Sequence, residues 1–170
     1  FHKNKFEFYV IGNISNIIIR DGKIYTPVIN LYKLSEIFEQ QTNEGFKMKI
    51  NAGTSITKFS KYLTNKGITG YEGMVGIPGT LGGSVVMNAS SYGSCTSDYL
   101  VSVEYIDSNG KLSSLSKHDI GFGFRKSLFQ NKKCLILNIN FFFPSKNLIG
   151  IEKTTKKTQT VIEHRNNFQE

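Results

Sequence analysis

The stretch of sequence that decides the fold is GYEGMVGIPGTLGGS at residues 70–84, which continues directly into VVMNA at residues 85–89. Six glycines fall within those fifteen residues, and glycine permits positive φ angles and close approach of two backbones. Successive backbone N–H groups in such a loop can form a concave nest for an anion. Pro78 fixes one φ angle and favours a rigid loop. The loop predicts a phosphate site, against the alternative that it only makes tight turns between a strand and a helix.

A second, shorter polar loop, GNISN at residues 12–16, follows a strand predicted at residues 6–10. Two polar glycine loops, each at the end of a strand, are what a dinucleotide with a pyrophosphate requires from a fold that is not Rossmann. Neither standard nucleotide pattern is present, because the chain has no GxxxxGK[ST] and no GxGxxG between a strand and a helix with a distant acidic residue. The hydroxyls of Ser15 and Thr80 and the glycine amides supply suitable donors.

The composition of the chain argues against a nucleic-acid-binding protein, a membrane-spanning protein and a metal site. The 170 residues are enough for one core. The net charge of +8 comes mostly from scattered lysines, and the three arginines form no basic stripe, so we expect no nucleic-acid partner. No apolar run is long enough to span a membrane. Two cysteines without CxxC spacing, Cys95 and Cys134, predict structural thiols in a reducing compartment and no metal site. None of the three histidines, among them a solvated His164, is expected to be catalytic.

Residue patterns elsewhere predict strands joined by turns, with inserted helices. We expect a hairpin at residues 17–25 around Asp21-Gly22, and a strand at residues 46–51. A helix follows from Ser55 to a glycine stop at Gly67. Further expected elements are strands at residues 100–106, 111–115 and 134–143, and a weakly docked terminal helix after residue 150. The fold class is therefore α+β, with mixed and antiparallel sheets.

Three patterns lie in order along the chain: GIPGTLGG at residues 76–83, MNASSYG at residues 87–93 and FGFRKS at residues 122–127. In order and spacing they resemble the patterns of the UDP-N-acetylenolpyruvoylglucosamine reductase family, GIPGT(V/L)GG, an MNAGAYG-like run and FxYRxS. The loop at residues 12–16 is similar to that family's GxGSN. The resemblance covers roughly residues 7–145. It implies an FAD-binding domain of the PCMH, or vanillyl-alcohol-oxidase, type.

The resemblance also implies a set of site residues. Arg125 matches the catalytic arginine that binds and polarises the enolpyruvyl carboxylate of the substrate. In that family NADPH reduces FAD, and the flavin then passes a hydride to a UDP-sugar. Glu72 is expected to cap or stabilise a turn, with contact to the ligand as the alternative, and Tyr92 either to line the pocket or to pack in the core. The implied FAD-binding residues are Asn13, Ser15, Asn16, Ile77, Pro78, Gly79, Thr80, Gly82, Gly83 and Asn88.

Two residues depart from the family's patterns: Ile14 stands where glycine is usual, and Phe124 where tyrosine is usual. We expect an FAD-binding domain at residues 1–145, incomplete at its N-terminus. Residues 146–170 are expected to form a basic linker or terminal helix that leads towards a substrate-binding domain absent from this sequence. The resemblance therefore implies the FAD domain of a cytoplasmic reductase of peptidoglycan precursors. The alternatives are a flavin-binding paralogue without reductase activity and a non-catalytic binding module.

Overall fold

A five-stranded antiparallel sheet forms the centre of this computed structural model, which describes residues 7–168. A separate parallel pair, β1 and β2, precedes it, and a short hairpin, β5 and β6, follows the second helix. The spatial order of the main sheet is β3-β4-β9-β7-β8. The strands are β1 (Tyr9–Ile11), β2 (Val28–Asn30), β3 (Ile37–Thr42), β4 (Gly45–Asn51), β5 (Ser90–Ser91), β6 (Ser94–Cys95), β7 (Leu100–Ile106), β8 (Leu112–Ser116) and β9 (Leu135–Pro144).

Three α-helices accompany the sheets: α1 (Ile56–Asn65), α2 (Leu81–Met87) and α3 (Ile151–Phe168). The helix expected after Ser55 is confirmed as α1. The Ser55 side chain caps this helix by accepting a hydrogen bond from the N–H of Lys58. Strands β4, β7, β8 and β9 likewise confirm the expected strands to within one residue at either end. None of the helices between residues 7 and 168 is long and apolar enough to cross a membrane.

The core lies between α1 and one face of the main sheet. Along β4, Phe46, Met48 and Ile50 are buried while the intervening lysines are exposed, the alternation expected of a strand with one face on a core. Phe59 of α1 packs its ring 5.1 Å from that of Phe141 on β9. The register pairs Met48 with Phe141, so this aromatic cluster sits at the middle of the sheet.

The expected hairpin at residues 17–25 is wrong. These residues form no strand, and the side chains of Ile18 and Tyr25 are 98% and 88% exposed. Strand β2 forms further along the chain instead and pairs in parallel with β1, with Tyr9 opposite Val28. Strand propensity reflects packing on a half-buried surface, and the described residues provide no such surface for this β-branched run. The strand expected at residues 6–10 begins at Tyr9, and Phe6 lies outside the described residues.

The terminal helix α3 is present as expected, and it docks mainly through polar side chains. The buried Thr154 donates from Oγ1 to the carbonyl oxygen of Thr64 on α1 at 3.0 Å. The hydroxyls of Thr64 and Thr158 lie 2.9 Å apart in a second buried hydrogen bond. The expectation of weak docking followed from the scarcity of apolar residues in this segment. It missed these contacts, because a threonine can bury its methyl group and hydrogen-bond its hydroxyl at once.

The end of β4 is the point where the separate layers meet. The N–H of Ala52 donates to the carbonyl oxygen of Leu137 in β9, and its carbonyl oxygen accepts from the N–H of Gly82 in α2, each at 2.8 Å. The N–H of Gly53 donates to the carbonyl oxygen of Leu34 at 2.9 Å. A Cβ atom at Gly53 would lie only 1.8 Å from the carbonyl oxygen of Leu31. The β1–β2 pair can therefore rest on the main sheet only if residue 53 has no side chain.

Gly53→Ala should lower the free energy of unfolding by about 2 kcal/mol, because backbone must move to admit the methyl group. Urea unfolding followed by circular dichroism measures the change. Gly123→Ala is the matched control, since its Cβ would meet only the Cβ of Lys126 at 3.7 Å. The control should stay within about 0.5 kcal/mol of the parent protein. Equal midpoints for Gly53→Ala and the parent would contradict the close approach described here.

Candidate cofactor site

A cleft of about 710 Å³ lies between residues 12–16, residues 77–83 and the start of β9. It gathers segments that are up to about 120 residues apart in sequence. Nine of the ten residues expected to bind FAD line this cleft, and so does Arg125. Those nine are Asn13, Ser15, Asn16, Ile77, Pro78, Gly79, Thr80, Gly82 and Gly83.

The two glycine loops touch each other across the cleft. The hydroxyl of Ser15 donates to the carbonyl oxygen of Pro78 at 3.0 Å. A Cβ atom at Gly12 would lie 2.3 Å from Oγ1 of Thr80, so this glycine lets the loops approach. Gly79 has a φ angle of +136°, a conformation that side chains disfavour, and a Cβ there would lie 3.1 Å from Oγ of Ser15. The glycines are thus required by the contact between the loops.

Several backbone N–H groups of these loops, whose residues line the cleft, have no hydrogen-bond partner among the described residues. Within residues 7–168, the N–H groups of Gly79, Thr80 and residues 13–16 donate no hydrogen bond. Gly82 differs, because its N–H donates to the carbonyl oxygen of Ala52 and its missing Cβ would lie 3.0 Å from the Cβ of Ala52. Gly82 therefore contributes close packing of α2, whereas Gly79 and Thr80 offer free donors to an anion.

Apolar side chains form part of the cleft's lining, which the sequence did not predict. This apolar wall includes Val86, Met87, Phe129, Cys134 and Ile136. Burial raises the pKa of the Cys134 thiol to about 11, so this cysteine is an uncharged thiol near neutral pH. The sequence predicted a structural thiol and did not predict that Cys134 lines the cleft.

Arg125 projects from a tight turn at the rim of the cleft. Residues 123 and 126 exchange two backbone hydrogen bonds of 3.0 and 3.2 Å, which places Phe124 and Arg125 at the tip. The φ angle of Arg125 is +52°, unusual for a residue other than glycine. Its carbonyl oxygen accepts a 2.8 Å hydrogen bond from Gln130. Within residues 7–168 its guanidinium has no hydrogen-bond or ion-pair partner, so it is free to bind a ligand.

Asn88 is the one residue of the expected FAD set that does not line the cleft. It ends α2 with a φ angle of +41°, and its Nδ2 donates to the carbonyl oxygen of Gly123 at 3.0 Å. Its Oδ1 accepts from Sγ of Cys95 at 3.1 Å. The side chain therefore joins α2 to the turn that carries Arg125, and its contact with FAD stays a prediction.

Three other expectations can be compared with the structure. The turn role of Glu72 is confirmed, because its buried carboxylate accepts from the N–H of Gly70 at 2.7 Å and from the hydroxyl of Thr69. The expectation for Tyr92 is wrong, whereas His164 is exposed to solvent as expected. Tyr92 lies neither in the cleft nor in the core but contacts α3, where its hydroxyl lies 2.8 Å from Nδ1 of His164. Ile14 lines the cleft with a φ angle of +56°, a strained value for a β-branched residue.

A second depression, of about 560 Å³, lies on the opposite, solvent-facing side of the main sheet between Phe38 and Phe142. Beside it, Glu104 accepts hydrogen bonds from Lys49, Asn138 and Asn140. Burial alone would raise the pKa of the Glu104 carboxyl, but these donors outweigh it and hold the pKa below its usual value. None of the expected site residues lies there.

The comparisons with known proteins agree with this geometry. UDP-N-acetylenolpyruvoylglucosamine reductase from Lactococcus lactis subsp. cremoris (strain MG1363) is 37% identical over 132 residues, which is 78% of this chain and 43% of that protein. The enzyme of the same name from Streptococcus mutans serotype c is 33% identical over 140 residues, 82% of this chain and 44% of its own length. The chain thus spans less than half the length of these curated relatives.

Solved structures show the same fold. UDP-N-acetylenolpyruvylglucosamine reductase from Thermus caldophilus superposes with a TM-score of 0.78 at 23% identity, covering 98% of this chain and 58% of that one. Cholesterol oxidase from Brevibacterium sterolicum superposes with a TM-score of 0.59 at 13% identity, covering 84% of this chain and 31% of that one. These structures confirm the expected α+β fold of the PCMH type. Residues 1–116, most of the chain, match the family described as FAD binding domain, and the protein therefore belongs to the FAD binding domain family.

Proposed function

We propose that this chain is the FAD-binding part of a UDP-N-acetylenolpyruvoylglucosamine reductase. Such an enzyme uses NADPH to reduce the enolpyruvyl group of a UDP-sugar, a step in the cytoplasmic synthesis of peptidoglycan precursors. The curated relatives carry this name at 33–37% identity. The observation that carries the proposal is the free guanidinium of Arg125 at the rim of a cleft whose other side is built from two glycine loops.

The residues of the cleft fit FAD in both its parts. A pyrophosphate needs several donors, and the unpartnered N–H groups of Gly79, Thr80 and residues 13–16 are of that kind. The flavin ring is large and mostly apolar, which suits the wall that contains Met87 and Phe129. When bound, FAD supplies the hydride chemistry that amino-acid side chains lack. The chain supplies binding, orientation and exclusion of water.

Arg125 is the residue that we assign to the substrate. A planar, permanently charged guanidinium binds a carboxylate through two parallel hydrogen bonds. In the proposed reaction the enolpyruvyl carboxylate gains negative charge in the transition state. A cation beside the carboxylate lowers the energy of that transition state. The turn is anchored on both sides, by Asn88 on Gly123 and by the Ser127 hydroxyl, which donates to Val86 at 2.8 Å. This anchoring fixes the backbone from which Arg125 extends before the substrate arrives.

A flavin-binding paralogue without reductase activity is the second candidate. The observation in its favour is Phe124, which is 90% exposed at the tip of the turn and lacks the hydroxyl of the family's tyrosine. In this alternative the cleft still retains FAD, but the enolpyruvyl sugar does not reoxidise the reduced flavin. The two candidates therefore differ in one half-reaction only.

Gly79→Val should weaken FAD binding at least about tenfold, because the new side chain would be strained at a φ angle of +136° and would press on Ser15. Flavin absorbance retained after desalting measures the effect, and fluorescence titration gives the dissociation constant. Gly110→Val is the control, since Gly110 also has a positive φ angle, +75°, in the turn between β7 and β8, away from the cleft. Unchanged FAD affinity in Gly79→Val would contradict the assignment of this loop.

Arg125→Lys and Arg125→Ala should leave reduction of the bound flavin by NADPH unchanged. Both should slow its reoxidation by the enolpyruvyl sugar about 10²-fold or more, because the paired donors to the carboxylate are lost. Stopped-flow absorbance of the reductase holoenzyme separates the two half-reactions. Arg20→Ala, an equal change of charge at an exposed position outside the cleft, is the control. Equal slowing of both half-reactions would exclude the proposed role of Arg125.

A further inference from the structure

Arg165, near the end of α3, reaches two separate segments of the chain. Its Nη2 donates to the carbonyl oxygen of Gly73 at 2.9 Å and to Oγ of Ser91 at 2.6 Å. Its guanidinium carbon lies 4.8 Å from the centre of the Tyr92 ring, within the range of a cation–π contact. One side chain thus holds together the turn at residues 72–76 and the β5–β6 hairpin.

These two segments are packed without spare room beneath Arg165. The N–H of Gly73 donates to Oγ of Ser94 at 3.1 Å. A Cβ atom at Gly73 would lie 2.2 Å from the carbonyl oxygen of Ser91. Tyr92 has a φ angle of +44°, an unfavourable conformation that its contacts with Arg165 and His164 stabilise. Arg165 therefore closes a tightly packed junction from the outside.

The turn at residues 72–76 leads directly into the glycine loop at residues 77–83 that lines the cleft. Gly76 lies directly under the side chain of Arg165, since a Cβ at Gly76 would be 3.2 Å from Cδ of Arg165. On its other side, the N–H of Gly76 donates to Oγ1 of Thr57 on α1 at 3.2 Å. Ile77 follows at once, and from it the chain lines the cleft. The entry to the loop is thus held between two helices, α1 through Thr57 and α3 through Arg165.

Holding this entry matters because glycine-rich chain loses much conformational entropy when it becomes ordered. A loop that is already ordered before the ligand binds removes that loss from the binding step. Lysine would not substitute, because it lacks the planar guanidinium that lies over the Tyr92 ring while its Nη2 bonds Gly73 and Ser91.

We propose that Arg165 is a positioning residue for the FAD site, which it supports from outside the cleft by ordering residues 72–80. This inference rests on the proposed function, in that the cleft binds FAD. Through Arg165, helix α3 would stabilise the cofactor site. Arg165 itself does not line the cleft, so its effect passes through the loop.

Arg165→Ala should raise the dissociation constant of FAD about tenfold, and Arg165→Lys should restore little of the loss. In the absence of FAD, hydrogen exchange should become faster in residues 72–80 and in the β5–β6 hairpin, with the main sheet unchanged. Lys156→Ala removes an exposed charge from the same helix and should change neither measurement. Fluorescence titration and exchange mass spectrometry on the intact chain supply the two readouts.

The outcomes separate the inference from the function on which it rests. Faster exchange throughout the chain with unchanged FAD affinity would show a purely structural role and overturn the proposal. Unchanged exchange in residues 72–80 would overturn it whatever the affinity. If the parent chain fails to bind FAD, the proposed function fails, and faster exchange confined to residues 72–80 in Arg165→Ala would still support the ordering of the loop. Full rescue by Arg165→Lys would contradict the requirement for a planar guanidinium.

Discussion

The close backbone approach at Ala52 and Gly53 is the constraint on which the rest of the structure depends. Ala52 bonds β9 through Leu137 on one side and α2 through Gly82 on the other. Gly53 lies so close to the backbone that follows β2 that a methyl group at residue 53 would not fit. The first glycine loop follows β1 and the second leads into α2, so both loops are positioned from this one place. Small residues at the end of β4 thereby bring together loops that lie about 60 residues apart.

Backbone strain concentrates around the cleft. Within residues 7–168, four residues other than glycine have positive φ angles: Ile14, Asn88, Tyr92 and Arg125. Ile14 and Arg125 line the cleft, Asn88 anchors the turn of Arg125, and Tyr92 lies against Arg165 beside the loop entry. Such conformations persist only where surrounding contacts outweigh their cost, and they are enriched at functional sites. Their distribution here agrees with a site whose loops are fixed before any ligand binds.

Local signals predicted those parts of the fold that local interactions decide. Ser55 predicts the start of α1, because its cap depends only on the N–H group three residues further along the chain. The alternation of apolar and polar residues predicts β4. The motifs located the two loops of the cleft. The β-branched run at residues 17–25 gave a wrong prediction of a hairpin, because strand propensity does not show whether a surface is available for the strand to pack on. The apolar wall and Arg165 were missed because both arise from contacts between distant segments: Ile136 reaches the cleft from β9, and Arg165 meets Gly73 across 92 residues.

The distribution of charge in the cleft links these observations. Of the described residues that line it, Arg125 alone carries a charged side chain. The many lysines that give the net charge of +8 lie elsewhere and can only steer an anion from a distance. A pyrophosphate in this cleft would therefore be held by neutral N–H and O–H donors, which bind it through preorganised geometry. Because the cofactor needs no cation, Arg125 remains free for a second anion, and a carboxylate is the group that its planar fork fits.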